Sequence, residues 1–211
     1  SDVRMQRFAV EQNAIPLLLT VLSRGSPLAK KEAAIVLSQL SENSKKLSNP
    51  IDIRANWCWF VFSKPEPVCI VHQGHCSVRS SFCLIQSEAI GPLVSLLEEE
   101  NSEAHEAALC ALTTLMKDDE ILEKGMEVID EAGGLKAIVR LLTFVTDPAV
   151  KVKACWMLER FFRVEKYKSE FGAQAQMPLI DLAQKGTLGT KSLAAKCLAH
   201  LKVLHNQSTY F

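Results

Sequence analysis

A nine-residue pattern occurs four times along this chain, and that recurrence constrains the fold more than any other feature. Ala14–Leu22 reads AIPLLLTVL, Ala89–Leu97 AIGPLVSLL, Gly134–Leu142 GLKAIVRLL and Ala175–Ala183 AQMPLIDLA. The first copy follows Arg4 and Arg7 and by itself looks like the apolar region of a signal peptide. A signal is used once, whereas a structural element recurs, so the repeat reading prevails. Each copy is followed by a polar break and a second helical pattern that opens on alanine, at Ala33, Ala108, Ala154 and Ala194. Apolar residues then fall at i, i+4 and i+7, as in Ala154, Leu158 and Phe161, which is one helical face. A small first residue lets neighbouring helices approach closely, and Leu158 and Leu198 are expected to be buried between stacked units.

The opening alanines are separated by 75, 46 and 40 residues. The first gap is nearly two periods, so one degenerate unit is expected inside it. Such a period, with two or three helices per unit, resembles armadillo or HEAT arrays. The expected fold is therefore an all-α armadillo-repeat right-handed solenoid of helical hairpins or triplets, in one domain over 1–211. Its units would span about 11–48, a degenerate 49–86, 87–129, 130–172 and 173–205. No unit of such an array buries its apolar face alone, and stacking makes one continuous core. Ser23 to Pro27 and Thr146 to Pro148 read as turns between helices. Pro16, Pro92 and Pro178 are expected near helix starts, where the first amides lack partners anyway. Gly25 and Gly172 are expected at helix ends.

Residues 44–86 are irregular. Trp57, Trp59, Phe60 and Phe62 form an aromatic knot, followed by Pro65 and Pro67. An insertion folded against neighbouring helices and a protruding recognition loop both remain open readings. Within it, Cys69, His72, His75, Cys76 and Cys83 weigh as a zinc cluster, but no second CxxC or HxxxH pair completes a tetrahedral set. Burial of the thiols is the better reading, and no metal and no cofactor are expected. Seven scattered cysteines suit a reducing compartment. The longest apolar run, Trp57–Phe62, is too short to span a bilayer. The first residue is Ser, so a fragment or a processed chain is expected. Phosphate loops, nucleophile elbows and dinucleotide fingerprints are absent from the sequence, and His105 in its acidic stretch reads as a solvated helix start.

The 24 cations and 24 carboxylates cancel, which argues against a nucleic-acid binder. Their distribution is uneven: net +3 over 1–97, −10 over 98–135 and +7 over 136–211. Solvated faces and ion pairs between units are the bland explanation. The alternative is a basic end that steers an anionic partner, through Lys151, Lys153, Arg163, Lys166, Lys168, Lys191 and Lys202. If several share a face, they could dock on an anionic membrane surface.

The second-helix pattern resembles the armadillo consensus. In nuclear-import adaptors a Trp and an Asn four residues later form a ladder. Here the corresponding pairs are Ile35/Gln39, Cys110/Thr114, Trp156/Arg160 and Lys196/His200, so that ladder is broken. Ala173 to Leu179, Lys191 to Ala195, Ala199 to His205 and Gln207 to Phe211 are similar to the carboxyl end of plant U-box armadillo E3 ubiquitin ligases, the senescence-associated branch above all. Val71 to Val78 and Ser81 to Leu84 also look like that branch. The resemblance implies a larger ubiquitin transferase whose E2 would be engaged only through a U-box that this chain lacks. The chain itself would be a non-enzymatic module that binds protein substrates or regulators. Its surface would be a concave face including Gln39, Thr114, Trp156, Arg160, Lys196 and His200. Trp156 could equally be buried between units. The resemblance also implies a cytoplasmic protein, peripheral at the plasma membrane.

Overall fold

The computed structural model describes residues 3–47, 69, 82–99 and 103–202. Among these residues eleven α-helices form: α1 Val3–Glu11, α2 Ile15–Arg24, α3 Pro27–Glu42, α4 Ser44–Leu47, α5 Ile90–Glu98, α6 His105–Thr113, α7 Leu122–Glu131, α8 Gly134–Phe144, α9 Pro148–Phe161, α10 Glu165–Lys185 and α11 Leu188–His200. A 3₁₀ turn, Thr114–Met116, extends α6.

The turn residues start the helices as their chemistry requires. Ser26 accepts from the Ala29 amide at 3.3 Å, Asp147 from Ala149 at 2.7 Å and Thr187 from Thr190 at 3.4 Å. Each side chain satisfies one of the orphan amides of a first turn. Pro27 and Pro148 follow two of these caps, where no intrahelical donor is lost.

The helices stack in two layers. α2 closes on α3, α5 on α6, α8 on α9 and α10 on α11. Each first helix also packs on the next first helix, α2–α5–α8–α10, and each second helix on the next second helix, α3–α6–α9–α11. The α2/α3 and α5/α6 hairpins are thus direct neighbours, although more than forty residues of chain lie between them. The expected degenerate unit at 49–86 and the aromatic knot fall largely outside the described residues. α7 packs on the 3₁₀ turn and α8, making a triplet with α8 and α9.

Between the layers lies one core. Ala33, Ala108, Ala154 and Ala194 are all buried where second helices meet, as are Leu37, Leu112, Leu158 and Leu198 four residues further on. Deleting any of these leucine side chains would leave a void between units rather than on a surface. Cys69, Cys83, Cys155 and Cys197 are buried. Burial pushes the Cys155 thiol up to about 12.

Three departures from the sequence expectations stand out, and the first two share one cause, contact with residues distant along the chain. His105 is not solvated; it is 4% exposed, its ring edge-on to Phe144. Gly172 does not end a helix but lies inside α10, where a Cβ would meet Leu201 Cδ2 at 2.8 Å. The missing side chain admits Leu201. Pro178 likewise sits inside α10 rather than at its start.

The last departure follows from a hinge. In three units the residue before the nine-residue pattern is left-handed: Asn13 at φ 57, Glu88 at φ 58 and Gly133 at φ 78. This conformation turns the chain sharply into the first layer. The equivalent residue of the last unit, Gln174, stays helical, so two helices fuse into the 21-residue α10 with Pro178 inside it.

Candidate functional site

On α9 the helical period brings Trp156 and Arg160 onto one face. Trp156 is half-buried against the core, and the Arg160 guanidinium carbon lies 3.6 Å from its ring centroid. A cation over an indole face is attracted by the ring quadrupole. Arg160 Nε donates to the carbonyl of Met116, in the preceding unit, at 3.3 Å. The guanidinium is therefore fixed from two directions.

Beside it, Glu159 is a carboxylate only 6% exposed. Arg163 donates to it through Nε at 3.0 Å and Nη2 at 2.8 and 3.0 Å, and His200 Nε2 on α11 donates at 3.4 Å. Burial alone would push the Glu159 carboxyl up, but the bonds from Arg163 and His200 outweigh it and hold it below the usual range. Arg160 Nη1 is 3.7 Å from Glu159 Oε2, too far for a hydrogen bond. Desolvation, together with the nearby Arg163 charge, lowers the Arg160 pKa.

Arg160, laid on Trp156, and His200 thus gather round Glu159 where α9 meets α11. Lys196 is exposed on α11, one turn before His200. Gln39 is exposed on α3, two helices away from α9 in the second layer. Thr114 lies in the 3₁₀ turn, where its Oγ1 donates to Ala111 O at 2.6 Å and so accepts from Ser41 Oγ at 2.5 Å. Its hydroxyl joins α3 to α6 and is already engaged.

Many of the remaining charges are spent in ion pairs, several of them between units. Lys30 meets Glu99 at 2.5 Å and Lys31 meets Glu103 at 3.4 Å, so α3 leans on the acidic stretch from one side. Lys153 meets Glu106 at 3.1 Å from the other. Lys166 pairs with Asp130 at 3.1 Å, Lys168 with Glu165, and Arg163 with Glu159. Lys151, Lys191, Lys196 and Lys202 make no ion pair among the described residues. α9 and α11 together carry five Lys or Arg and one carboxylate, net +4. α8 carries net +2, and α10 balances three against three.

Glu159, the centre of this cluster, is visible in the sequence only as one carboxylate among basic neighbours. Its burial depends on α11, forty residues on, and no local signal marks it. Of the weighed zinc cluster, His72, His75 and Cys76 lie outside the described residues; Cys69 and Cys83 have their sulfurs 3.5 Å apart. Among the described residues no helix is long and apolar enough to cross a membrane.

A family model described as Armadillo/beta-catenin-like repeat matches residues 80–117, which hold α5 and α6. Three curated plant proteins are similar over nearly the whole chain. U-box domain-containing protein 44 of Arabidopsis thaliana is 34% identical, covering 100% of this chain and 28% of its own length. U-box domain-containing protein 43 of the same plant is 35% identical over 97% of this chain and 26% of its own. U-box domain-containing protein 24 of Oryza sativa subsp. japonica is 30% identical over 100% and 27%. The chain therefore spans about a quarter of the length of these relatives. Among solved structures, an engineered protein superposes with a TM-score of 0.64, at 19% identity, over 95% of this chain and 68% of its own. A designed armadillo repeat protein in complex with the peptide (KR)4 superposes with a TM-score of 0.63, at 18% identity, over 93% and 68%.

Proposed function

The chain belongs to the armadillo-repeat family, and on that footing we propose that it is the partner-recognition region of a plant U-box E3 ubiquitin ligase. One observation carries the proposal: full-length similarity to plant proteins that are named for a U-box and are about four times as long. A U-box elsewhere in the whole protein would engage the ubiquitin-charged E2. This region would hold the protein substrate or a regulator and bring it within reach.

The architecture suits that division of labour. A two-layer stack presents a continuous row of second helices, α3, α6, α9 and α11, built on a rigid shared core. Trp156 and Arg160 sit in that row, and Trp and Arg are the residue types that most often dominate binding energy at interfaces. The designed armadillo protein in complex with (KR)4 supports peptide recognition on this scaffold.

The test is reconstituted ubiquitination with E1, E2, ubiquitin and ATP. The 211-residue chain alone is expected to build no ubiquitin chains. The whole protein is expected to build them, and to lose modification of its substrate, though not of itself, when this region is deleted. Robust chain formation by the isolated 211 residues, or unchanged substrate modification after the deletion, would overturn the proposal.

A second reading, peripheral docking at an anionic plasma-membrane surface, draws support from Lys151, Lys191, Lys196 and Lys202, which make no ion pair among the described residues. Sedimentation with phosphatidylserine vesicles tests it: binding that fades as salt rises is expected, and equal binding to neutral vesicles would end it.

A further inference from the structure

We propose that the outer face of α9 and α11 takes an acidic, extended polypeptide segment, with Arg160, laid on Trp156, receiving one of its carboxylates. This rests on the reading of the second-helix row as the recognition face and adds the chemical class of the partner.

The charge balance points to an acidic occupant. Of the five Lys or Arg on the two helices, Lys151, Lys191 and Lys196 make no ion pair among the described residues, and Lys153 pairs with Glu106. Arg160 lies 3.7 Å from the buried Glu159, which already accepts from Arg163 and His200. Arg160 keeps only this ion pair to that carboxylate, with no hydrogen bond to it, so its Nη donors are left for another acceptor.

Its geometry is prepared for one. The Trp156 ring holds one face of the guanidinium and the Met116 carbonyl holds Nε, yet the side chain keeps 21% exposure. A planar fork fixed before binding loses little freedom when a carboxylate arrives, and the fork matches a carboxylate better than an ammonium does.

The neighbouring helix extends the site. α9 and α11 run side by side in the same direction: Gly189 lies by Val152, Cys197 by Cys155 and His200 by Glu159. The exposed Lys196 occupies on α11 the repeat position that Trp156 occupies on α9. A segment crossing from α9 to α11 therefore meets Arg160 and then Lys196.

The size of the patch favours a polypeptide over a bilayer. Stacked helices lie about 8–10 Å apart, so the basic face is only two helices wide. Beside it stands α6, in the stretch 98–135 that carries net −10. An anionic plane wider than the patch would be repelled there, whereas a short acidic segment confined to α9 and α11 avoids it.

The test is fluorescence polarisation of the full chain with a labelled twelve-residue peptide alternating glutamate and glycine, against the same peptide with glutamine for glutamate. The acidic peptide is expected to bind at least tenfold tighter at low salt and to weaken as salt rises. R160A is expected to cost about tenfold and K196A about threefold. R160K, which keeps the charge but loses the fork, should bind more weakly than the native chain. K185A, on α10 and paired with Asp181, should change nothing. Circular dichroism of each variant guards against misfolding. Equal binding of both peptides, or R160A and R160K both indistinguishable from K185A, would overturn the proposal. So would failure of the acidic peptide alongside K196A-sensitive sedimentation with phosphatidylserine vesicles, which assigns the patch to a membrane. Substrate modification by the whole ligase that survives R160A and K196A would remove this site while leaving the recognition role standing.

Discussion

His105 Nε2, at the start of α6, lies 2.6 Å from the carbonyl oxygen of Glu99, just past the end of α5. A carbonyl only accepts, so Nε2 carries the proton, and the neutral ring closes the hairpin without a charge. Desolvation lowers the His105 pKa more than the Glu99 bond and charge raise it. The unfolded chain therefore binds a proton at this site more readily than the folded one. The stability this contributes is complete above the unfolded value of about 6.5 and is lost as pH falls below it. Thermal melts from pH 7.5 to 5.5 should show a falling midpoint, and H105Q should flatten that fall. An identical pH profile in the variant would refute the assignment.

Glu88 occupies a left-handed hinge that Asn13 and Gly133 fill in other units. A side chain of its kind costs roughly 1–2 kcal/mol there, and Asn or Gly costs less. E88N and E88G should each stabilise the chain by about 1 kcal/mol, read from the midpoint of urea unfolding. Destabilisation by both would show that the Glu88 side chain is used.

Leu158 and Leu198 are 0% and 4% exposed at successive contacts in the second layer. L158A and L198A should each cost ~2–5 kcal/mol. Because neighbouring interfaces carry the stability of a stacked array, L198A should loosen α10 and α11 first. Hydrogen exchange that is uniform along the chain would contradict this.

Glu159 links α9 to α11 through His200. E159Q should weaken the bidentate bond with Arg163 and release His200, at a cost of about 1–3 kcal/mol. Since its folded pKa is held down, the stability it contributes is present above the usual carboxyl range and is lost as pH falls through the folded value. Urea unfolding at pH 7 and pH 3 should show a smaller E159Q penalty at the lower pH. A penalty of equal size at both would mean the carboxylate charge is not what matters.

Much of the fold was legible in the sequence because it is set by neighbours a few residues apart. The spacing of Ala154, Leu158 and Phe161 fixes a helix face, and Ser26, Asp147 and Thr187 cap helices through amides two or three residues on. The return of the pattern beginning at Ala14, Ala89 and Gly134 fixes the stacking, since each unit needs the next to cover its apolar stripe. The tertiary structure decided what depends on distant partners. It buried His105 against Phe144, let Leu201 sit on Gly172 inside α10, and sorted the basic end into cations neutralised by Glu106, Asp130, Glu159 and Glu165 and cations left exposed. A charge carries no mark in the sequence of whether another helix will bring it a partner within 4 Å. That is settled only when the layers close, because Coulomb and hydrogen-bond energies depend on separation in space rather than along the chain.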